Sequence, residues 1–353
     1  MIRELSYADA IREGTEQLME ADRRVIVMGL GVTDPKGIFG TTSNLHRRFG
    51  PKRAFDLPVA ENSMTGVAIG SALAGMRPIL THQRLDFMLL SIDQLFNNAA
   101  KWHYMFAEQQ PVPLVIRALI GRGWGQGPQH SQSLHSLFAH IPGLKVALPA
   151  TPADAKGLLI AAVNDPNPVL LLEHRWLYGL KGPVPEQLCS TPLGKARVAR
   201  SGSAITLVSW SYMLIESLRA AELLKEEGID AEVIDLRSLS PLDTPTLLHS
   251  LAKTGHLVIV DGDWEHAGFA GEVTAQAVEK GWDLLLAPPK RVCWPHVPCP
   301  TSWVLAKDFY PRAVNIAEAV CEVLGHPAPH DWEDLKHCSS RCDTPDPSFT
   351  GPF

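Results

Sequence analysis

The sequence predicts an α/β protein with two doubly wound, largely parallel sheets, and three observations support this prediction. Short apolar runs alternate with stretches of helical periodicity, as in strands joined by crossover helices. The chain has 353 residues, more than one hydrophobic core usually holds. The alternation stops once, at a Gly- and Pro-containing stretch over 181–186, and then resumes. We therefore expect a first domain over 1–180, a linker over 181–192, a second domain over 193–325 and an irregular tail over 326–353.

The first half of the chain predicts strands and helices in alternation. Apolar runs predict strands over 25–28, 77–81, 112–117, 144–148 and 169–173, with extended chain over 55–60. Helical spacing predicts helices over 6–21, from about Asn62 or Ser63 onward, over 86–104 and over 151–164. Ser6 with Asp9, and Thr151 with Asp154, resemble capping boxes at two of these helix starts. A glycine-rich loop over 121–131 follows the strand at 112–117, and loops of this kind carry function or mobility rather than fold.

A second α/β unit follows the linker. Its predicted strands cover 204–208, 231–236 and 256–260, and its predicted helices cover 212–227, 241–253 and 268–280. Gly228 stands where the first of these helices ends, and Pro241 where the second begins.

Composition and charge exclude several classes of function. The net charge is −6 and no block of Lys and Arg stands out, which argues against nucleic acid or an anionic membrane surface as the main partner. No apolar run reaches the roughly 18 residues of a membrane span, and the N-terminus lacks the apolar core of a signal peptide. Six scattered cysteines in a chain of this length predict a reduced, cytoplasmic protein.

Familiar catalytic motifs are missing from the sequence. There is no Gly-x-x-x-x-Gly-Lys-Ser/Thr phosphate loop, no Gly-x-Ser-x-Gly elbow and no His-Glu-x-x-His. Gly29-Leu30-Gly31 follows a predicted strand but has no third glycine at dinucleotide-binding spacing. The Cys- and His-containing stretch over 337–342 could bind a metal ion, but it lacks a second pair of ligands.

The stretch over 55–63 places a single acid, Glu61, where a predicted strand gives way to a helix. Pro58 disfavours helix just before it, and the following helix is rich in Gly and Ala, which allows close approach by a ligand or another backbone. Strand-to-helix junctions are common functional positions in α/β proteins. The alternative is an ordinary acid stabilised by the dipole at a helix N-terminus.

Phe87 and His130 complete a candidate site with Glu61. A carboxylate, an aromatic face and an imidazole suit a planar heterocyclic ligand whose ring nitrogen must be protonated. The alternatives stay open at this point, since Phe87 could simply pack in the core and His130 could be a loop histidine without a role.

The segment Phe-Asp-Leu-Pro-Val-Ala-Glu at 55–61 resembles the one that ends in the thiamine-diphosphate glutamate of the E1 β subunits of 2-oxo acid dehydrogenases. The resemblance covers roughly residues 3 to 325. Its other motifs lie at 92–94, 111–117, 129–133, 140–146, 154–159, 167–169, 260–261, 268–269 and 300–302. It implies a transketolase-like pyrimidine-binding domain followed by a transketolase C-terminal-like domain.

The resemblance implies a role for each matching residue. Glu61 matches the glutamate that hydrogen-bonds the aminopyrimidine nitrogen of the cofactor, Phe87 the aromatic residue packed on the pyrimidine, and His130 the histidine facing the substrate or the lipoyl group. Val59 lies in the same cofactor-binding segment. A further set matches a structural potassium site formed by backbone carbonyls: Leu114, Ala162, Val163, Asp165 and Asn167.

The resemblance also implies partners. The family's Gly-Asp-Gly motif for diphosphate and Mg²⁺ is missing, so an α subunit is expected to supply that half of the site in an α2β2 heterotetramer. The implied reaction is pyruvate-dehydrogenase-like oxidative decarboxylation of a 2-oxo acid, with acyl transfer to a lipoyl acyltransferase E2. Thiamine-dependent cleavage or ligation, as in acetoin cleavage or ketol transfer, is an alternative, and so is a non-catalytic assembly subunit. Arg84 and Asp86 depart from the family pattern before Phe87, which puts the common substrates in doubt.

Overall fold

The computed structural model describes residues 2–122, 126–332 and 344, so most of the predicted irregular tail, with its Cys- and His-containing stretch, lies outside the described residues. The first half contains fifteen α-helices and β-strands within this range. They are β1 (Ile2–Ser6), α1 (Tyr7–Ala21), β2 (Val25–Gly29), α2 (Leu45–Phe49), β3 (Ala54–Asp56), α3 (Glu61–Leu73), β4 (Arg77–His82), α4 (Leu85–Met88), α5 (Ala100–Met105), β5 (Val115–Ile120), α6 (His135–Ala139), β6 (Lys145–Ala147), α7 (Pro152–Asn164), β7 (Val169–His174) and β8 (Lys181–Pro185).

The second half repeats the alternation. Its elements are β9 (Arg197–Arg200), β10 (Ile205–Ser209), α8 (Tyr212–Glu226), β11 (Ala231–Asp235), β12 (Ser238–Ser240), α9 (Thr244–Thr254), β13 (Leu257–Trp264), α10 (Phe269–Gly281), β14 (Lys290–Trp294), α11 (Trp303–Ala306) and α12 (Ala313–Leu324). Within the part of the chain that is described, no helix is both long and apolar enough to cross a membrane.

Two large sheets organise the chain, and the predicted α/β class is confirmed. The first has the strand order β12-β6-β7-β5-β4-β2-β3, and all its strands run parallel except β12 at the edge. The second has the order β14-β13-β10-β11-β9, parallel except for β9. The central strands are buried on both faces, as parallel sheets covered by helices require.

Two hydrophobic clusters cover the opposite faces of the sheets, and each extends through both halves of the chain. One joins side chains of α1 and α7 with those of α8 and α12. The other joins side chains of α3 with those of α9 and α10. The two halves therefore share their cores. Polar contacts add to this connection, since His135 Nε2 lies 2.9 Å from Asp261 Oδ1 and Ser136 Oγ donates to Asp263 Oδ2 at 2.7 Å.

The linker predicted for 181–192 begins with a strand. β8 pairs antiparallel with β1 at the N-terminus of the chain, in the register Ile2↔Pro185 to Ser6↔Lys181. The Gly and Pro content of this stretch predicted a linker, yet it is compatible with a strand. A two-stranded ribbon has open edges, where proline, which lacks an N–H donor, is tolerated. The domain boundaries themselves remain a prediction.

Three predicted element limits are also shifted. The strand expected over 112–117 is Val115–Ile120, and α3 begins at Glu61 rather than at Asn62 or Ser63. Pro241 does not open the next helix: α9 begins at Thr244, where the Asp243 side chain accepts a hydrogen bond from Thr246 Oγ1 at 2.8 Å. The helix predicted over 86–104 is divided into α4, a 3₁₀ turn, a π turn and α5.

A buried ionic network connects two central strands of the first sheet. Arg117 of β5 donates to Glu173 of β7 through Nε at 2.5 Å and Nη2 at 2.9 Å. Tyr178 adds a hydroxyl hydrogen bond to Glu173 at 2.7 Å. Both charged side chains are fully buried. A buried charge is destabilising without its partner. A shift of β5 against β7 would separate Arg117 from Glu173, so the ion pair favours the observed register of the two strands.

We predict that Arg117→Met lowers the free energy of unfolding by about 3–5 kcal/mol, because it leaves the Glu173 carboxylate buried without its cation. The double variant Arg117→Met/Glu173→Met should lose less than Arg117→Met alone, since no unpaired carboxylate remains. Urea denaturation of the three proteins measures this, and a single variant within about 1 kcal/mol of the parent would contradict the prediction.

Candidate active site

The parallel strands of the first sheet end at one edge, and most of the candidate residues lie there. In open α/β sheets, ligands bind in the crevice outside the carboxyl ends of the strands. Arg84 follows β4 by two residues, Arg122 follows β5 by two, and Arg175 comes directly after β7. Glu61 lies beyond the end of β3, at the start of α3.

Glu61 is the first residue of α3 and is only 7% exposed. Its carboxylate has no hydrogen-bond or salt-bridge partner among residues 2–122, 126–332 and 344. Its backbone carbonyl accepts from Thr65 Oγ1 at 2.9 Å, within the helix. A nearly buried carboxylate without a protein partner, at the positive end of a helix dipole, is available to hydrogen-bond a ligand.

Phe87 and His130 are brought together by the fold. Their rings meet edge to face with centroids 5.2 Å apart and planes at 85°. Phe87 is 41% exposed, so the alternative that it simply packs in the core does not hold. His130 is half-buried, and its backbone N–H donates to Gly127 O at 3.1 Å. Val59, on the loop before α3, is 79% exposed.

Two buried arginines at this edge converge on the glycine-rich loop. Arg84 donates through Nη1 to Gly121 O at 3.1 Å and through Nη2 to Gln126 Oε1. Arg175 Nη1 lies 3.4 Å from the same Gln126 oxygen, and its guanidinium stacks 4.7 Å from the centre of the Phe39 ring. Sequence reasoning singled out Arg84 alone. The missed signal is that each arginine closely follows an apolar strand.

Two histidines near the arginines are neutral. Burial lowers the pKa of His82, at the end of β4, to about 4. Burial, reinforced by the charge of Arg84, lowers the pKa of His174 to about 3.

His135 joins the two halves of the chain. Burial opposes its charged form, but the carboxylates of Asp261 and Asp263 outweigh that effect and raise the pKa of His135. Asp261-Gly262-Asp263 therefore serves as an anchor for this histidine and for Ser136. Within the described ranges, no three His, Cys, Asp or Glu side chains gather as a metal site.

The five residues of the expected potassium site lie where α7 ends near the starts of β5 and β7. Leu114 O accepts from Val169 N at 3.0 Å, and Ala162 O accepts from Asp165 N at 3.2 Å. Asn167 N donates to Asp165 Oδ1 at 2.9 Å.

These residues fit potassium in ligand type, because they offer oxygen atoms and Asn167 Oδ1 is buried without a partner in the described chain. Two positively charged side chains of the protein already contact residues of this site. Arg77 Nη1 donates to Val163 O at 2.5 Å, and Lys145 forms an ion pair with Asp165.

Comparison with known proteins gives consistent matches over nearly the whole chain. The family "Transketolase, pyrimidine binding domain" matches residues 3–181, and "Transketolase, C-terminal domain" matches residues 194–316. The chain is 43% identical over 334 residues to the acetoin:2,6-dichlorophenolindophenol oxidoreductase subunit beta of Cupriavidus necator, covering 92% of this chain and 98% of that protein. It is 38% identical over 320 residues to the pyruvate dehydrogenase E1 component subunit beta of Rickettsia felis, covering 91% and 98%.

A solved structure shares the fold. It is described as "Split gene transketolase, inactive beta4 tetramer", with a TM-score of 0.75 and 22% identity, covering 91% of this chain and 99% of that one. At this identity, the likeness extends to the fold alone.

We predict that Gly121→Ala destabilises the protein more than Gly228→Ala. Both glycines have left-handed backbones, with φ of +78° and +76°, so both substitutions add backbone strain of about 1–2 kcal/mol. A Cβ at Gly121 would also collide with the His174 imidazole, whereas nothing lies within 4 Å at Gly228. The extra loss should be about 1–3 kcal/mol. Denaturation midpoints of the two variants measure it, and equal losses would show that His174 moves aside freely.

Proposed function

Because this chain belongs to the family of E1 component β subunits and related acetoin oxidoreductase β subunits, we propose that it is the β subunit of a thiamine-diphosphate-dependent enzyme. The proposed reaction is oxidative decarboxylation of a pyruvate-like 2-oxo acid with acyl transfer to a lipoyl group. One observation carries the proposal: the Glu61 carboxylate, which has no partner among the described residues, lies at the same sheet edge as the exposed Phe87 ring and its neighbour His130.

The residues fit the cofactor in chemical type. The exposed face of Phe87 can stack on a flat ring, and Val59 offers an exposed apolar side chain beside the same edge. When bound, thiamine diphosphate supplies the nucleophile and electron sink that decarboxylation requires. We assign Glu61 to hold a proton on the pyrimidine ring, because this residue is only 7% exposed and its carboxylate is free of protein hydrogen bonds within the described residues.

His130 is assigned to the substrate side of the site. Its edge-to-face contact with Phe87 orients the imidazole while leaving the ring half-exposed. An imidazole nitrogen can accept or donate a proton, so His130 can exchange a proton with the substrate or with the lipoyl group of an E2 acyltransferase.

An α subunit is the proposed partner, in an α2β2 assembly with the cofactor between the chains. The exposed positions of α3 recur at helical spacing and include Val67 at 53% and Leu73 at 37% exposure. Gly70 and Ser63, also exposed on α3, allow another chain to approach closely. The α subunit would hold the diphosphate and most of the Mg²⁺ coordination.

Two other assignments rest on the family. Potassium is proposed at the carbonyls of Leu114, Ala162 and Val163 with Asp165 and Asn167, as a structural ion sharing its ligands with Arg77 and Lys145. A cytoplasmic location is proposed from the sequence composition.

Acetoin cleavage is the second candidate, favoured by 43% and 40% identity to two acetoin:2,6-dichlorophenolindophenol oxidoreductase β subunits. It uses the same cofactor but begins from a ketone instead of a 2-oxo acid. A non-catalytic assembly role is disfavoured, because assembly has no need of a nearly buried acid that lacks a partner among the described residues. Steady-state assays with pyruvate and with acetoin, on the complex with the α subunit, separate the first two.

We expect Glu61→Gln to lower kcat about a hundred- to ten-thousandfold while the protein stays folded, since the amide cannot exchange the proton. The matched control is Glu272→Gln, another glutamate in the first turn of a helix, which should keep full activity. Dye reduction by the αβ complex and thermal melting are the measurements. Near-normal turnover by Glu61→Gln would remove Glu61 from the proposed role.

The isolated chain should bind thiamine diphosphate weakly, because the diphosphate half of the site is assigned to the α subunit. Titration calorimetry with Mg²⁺ present, on the chain alone and on the complex with its candidate α partner, measures this. Binding in the complex alone supports the shared site. Tight Mg²⁺-dependent binding by the chain alone would contradict it.

A further inference from the structure

Arg84 and Arg175 place two positive charges in the interior, and neither forms a salt bridge within the described residues. They are 4% and 3% exposed. Across the described residues, neither has a carboxylate within salt-bridge distance, and both guanidinium groups share one neutral acceptor, Gln126 Oε1. Arg175 Nε is buried with no acceptor in that same part of the chain. Two guanidinium groups that share one amide oxygen have more N–H donors than that oxygen can accept.

Such an arrangement is costly unless an anion completes it. Burying a charge without a partner costs several kcal/mol, which proteins normally offset with an ion pair. Burial, together with the nearby charge of Arg175, lowers the pKa of Arg84 to about 10, so Arg84 remains charged at neutral pH. Asp86 is near enough to oppose that shift but makes its own hydrogen bonds to Gln132, at 2.9 Å from the side-chain amide.

The pair is connected to the proposed reaction site through one short helix and one loop. Arg84 is the N-cap of the short helix that contains Phe87. Gln126 belongs to the same glycine-rich loop as His130, four residues earlier, and is half-buried. Arg84 therefore shares a helix start with Phe87, and both arginines contact the loop that contains His130.

Arg122 at the same edge shows what a structural arginine looks like here. Its Nη1 and Nη2 donate to the carbonyls of Pro300 and Thr301, at 2.5 and 2.7 Å, and its guanidinium lies 5.8 Å from the centre of the Tyr310 ring. These contacts join the two halves of the chain. Arg84 and Arg175 differ because the acceptor that they share is a side-chain oxygen, that of Gln126, and not a backbone carbonyl.

We propose that Arg84 and Arg175 bind a second anionic group of the substrate, a carboxylate or a phosphate at the end away from the 2-oxo acid function. Gln126 Oε1 occupies the position of that anion until the substrate enters. The inference rests on the proposed function and names its substrate class: a 2-oxo acid with a distal anion. A planar guanidinium pair suits this role, since it can offer parallel N–H groups to the oxygens of a carboxylate or phosphate.

The test uses the αβ complex and substrate pairs that differ only in the distal group. 2-Oxoglutarate is compared with 2-oxopentanoate, and 3-phosphohydroxypyruvate with 3-hydroxypyruvate, with 2,6-dichlorophenolindophenol as electron acceptor. The parent complex should favour the dianionic member of at least one pair by tenfold or more in kcat/KM. The pair showing the preference distinguishes carboxylate from phosphate.

Arg84→Met and Arg175→Met should each lower kcat/KM for the preferred dianion about ten- to a hundredfold, the loss typical of a charged hydrogen bond, while the uncharged-end partner changes less than about threefold. Arg84→Lys should recover part of the loss. The control Arg122→Met removes an equally buried guanidinium and should leave the dianion preference unchanged, whatever it does to stability.

A binding readout separates this inference from the proposed function. Glutarate or inorganic phosphate should raise the thermal midpoint of the parent complex and of Arg122→Met, but not of Arg84→Met. Turnover without any dianion preference, and without this shift, overturns the inference and leaves the function standing. A shift abolished by Arg84→Met, with no turnover of any 2-oxo acid, supports the anion site and overturns the 2-oxo acid assignment. If the variants fail to fold, the selectivity and anion shift of the parent complex still decide.

Discussion

Parallel pairing of β2, β3, β4, β5 and β7 is the constraint on which the rest of the molecule depends. Parallel strands must be joined by crossover segments, and their carboxyl ends therefore gather at one edge. The Arg117–Glu173 pair joins β5 to β7 in the middle of that sheet. A glycine-rich loop comes after β5, and arginines come after β4 and β7, so the side chains that can do chemistry collect at this edge.

The electrostatics of this edge divide into two zones. Toward the surface, Glu61, Phe87 and His130 present an acid, a ring face and an imidazole. Behind them, Arg84 and Arg175 concentrate positive charge, and burial keeps His174 uncharged, so it adds nothing to that charge. Substrate recognition and proton handling are thus assigned to neighbouring but chemically different surfaces.

Local pattern predicted much of the fold from sequence, and the fold class is confirmed. Buried strands such as Val169–His174 are recognisable as apolar runs, and Ser6 and Thr151 cap the helices as their hydroxyls suggest. Some errors concern local element limits, such as the strand predicted over 112–117, and the others concern non-local pairing. The strand β8 was not predicted, because it contains prolines and because its partner β1 lies at the start of the chain. The sharing of Gln126 by two arginines depends on strand order, which no local window contains.

One small strand has a consequence for how the chain can be divided. β12 comes after three strands of the second unit, yet it pairs with β6 and forms the last strand of the first sheet. A protein shortened to its first unit would leave the β6 backbone groups unpaired at an open edge. Exposed strand edges recruit strands from neighbouring molecules, so such a fragment would be prone to aggregate. The second unit therefore covers the β6 edge of the first sheet through β12, and the two units should be expressed together.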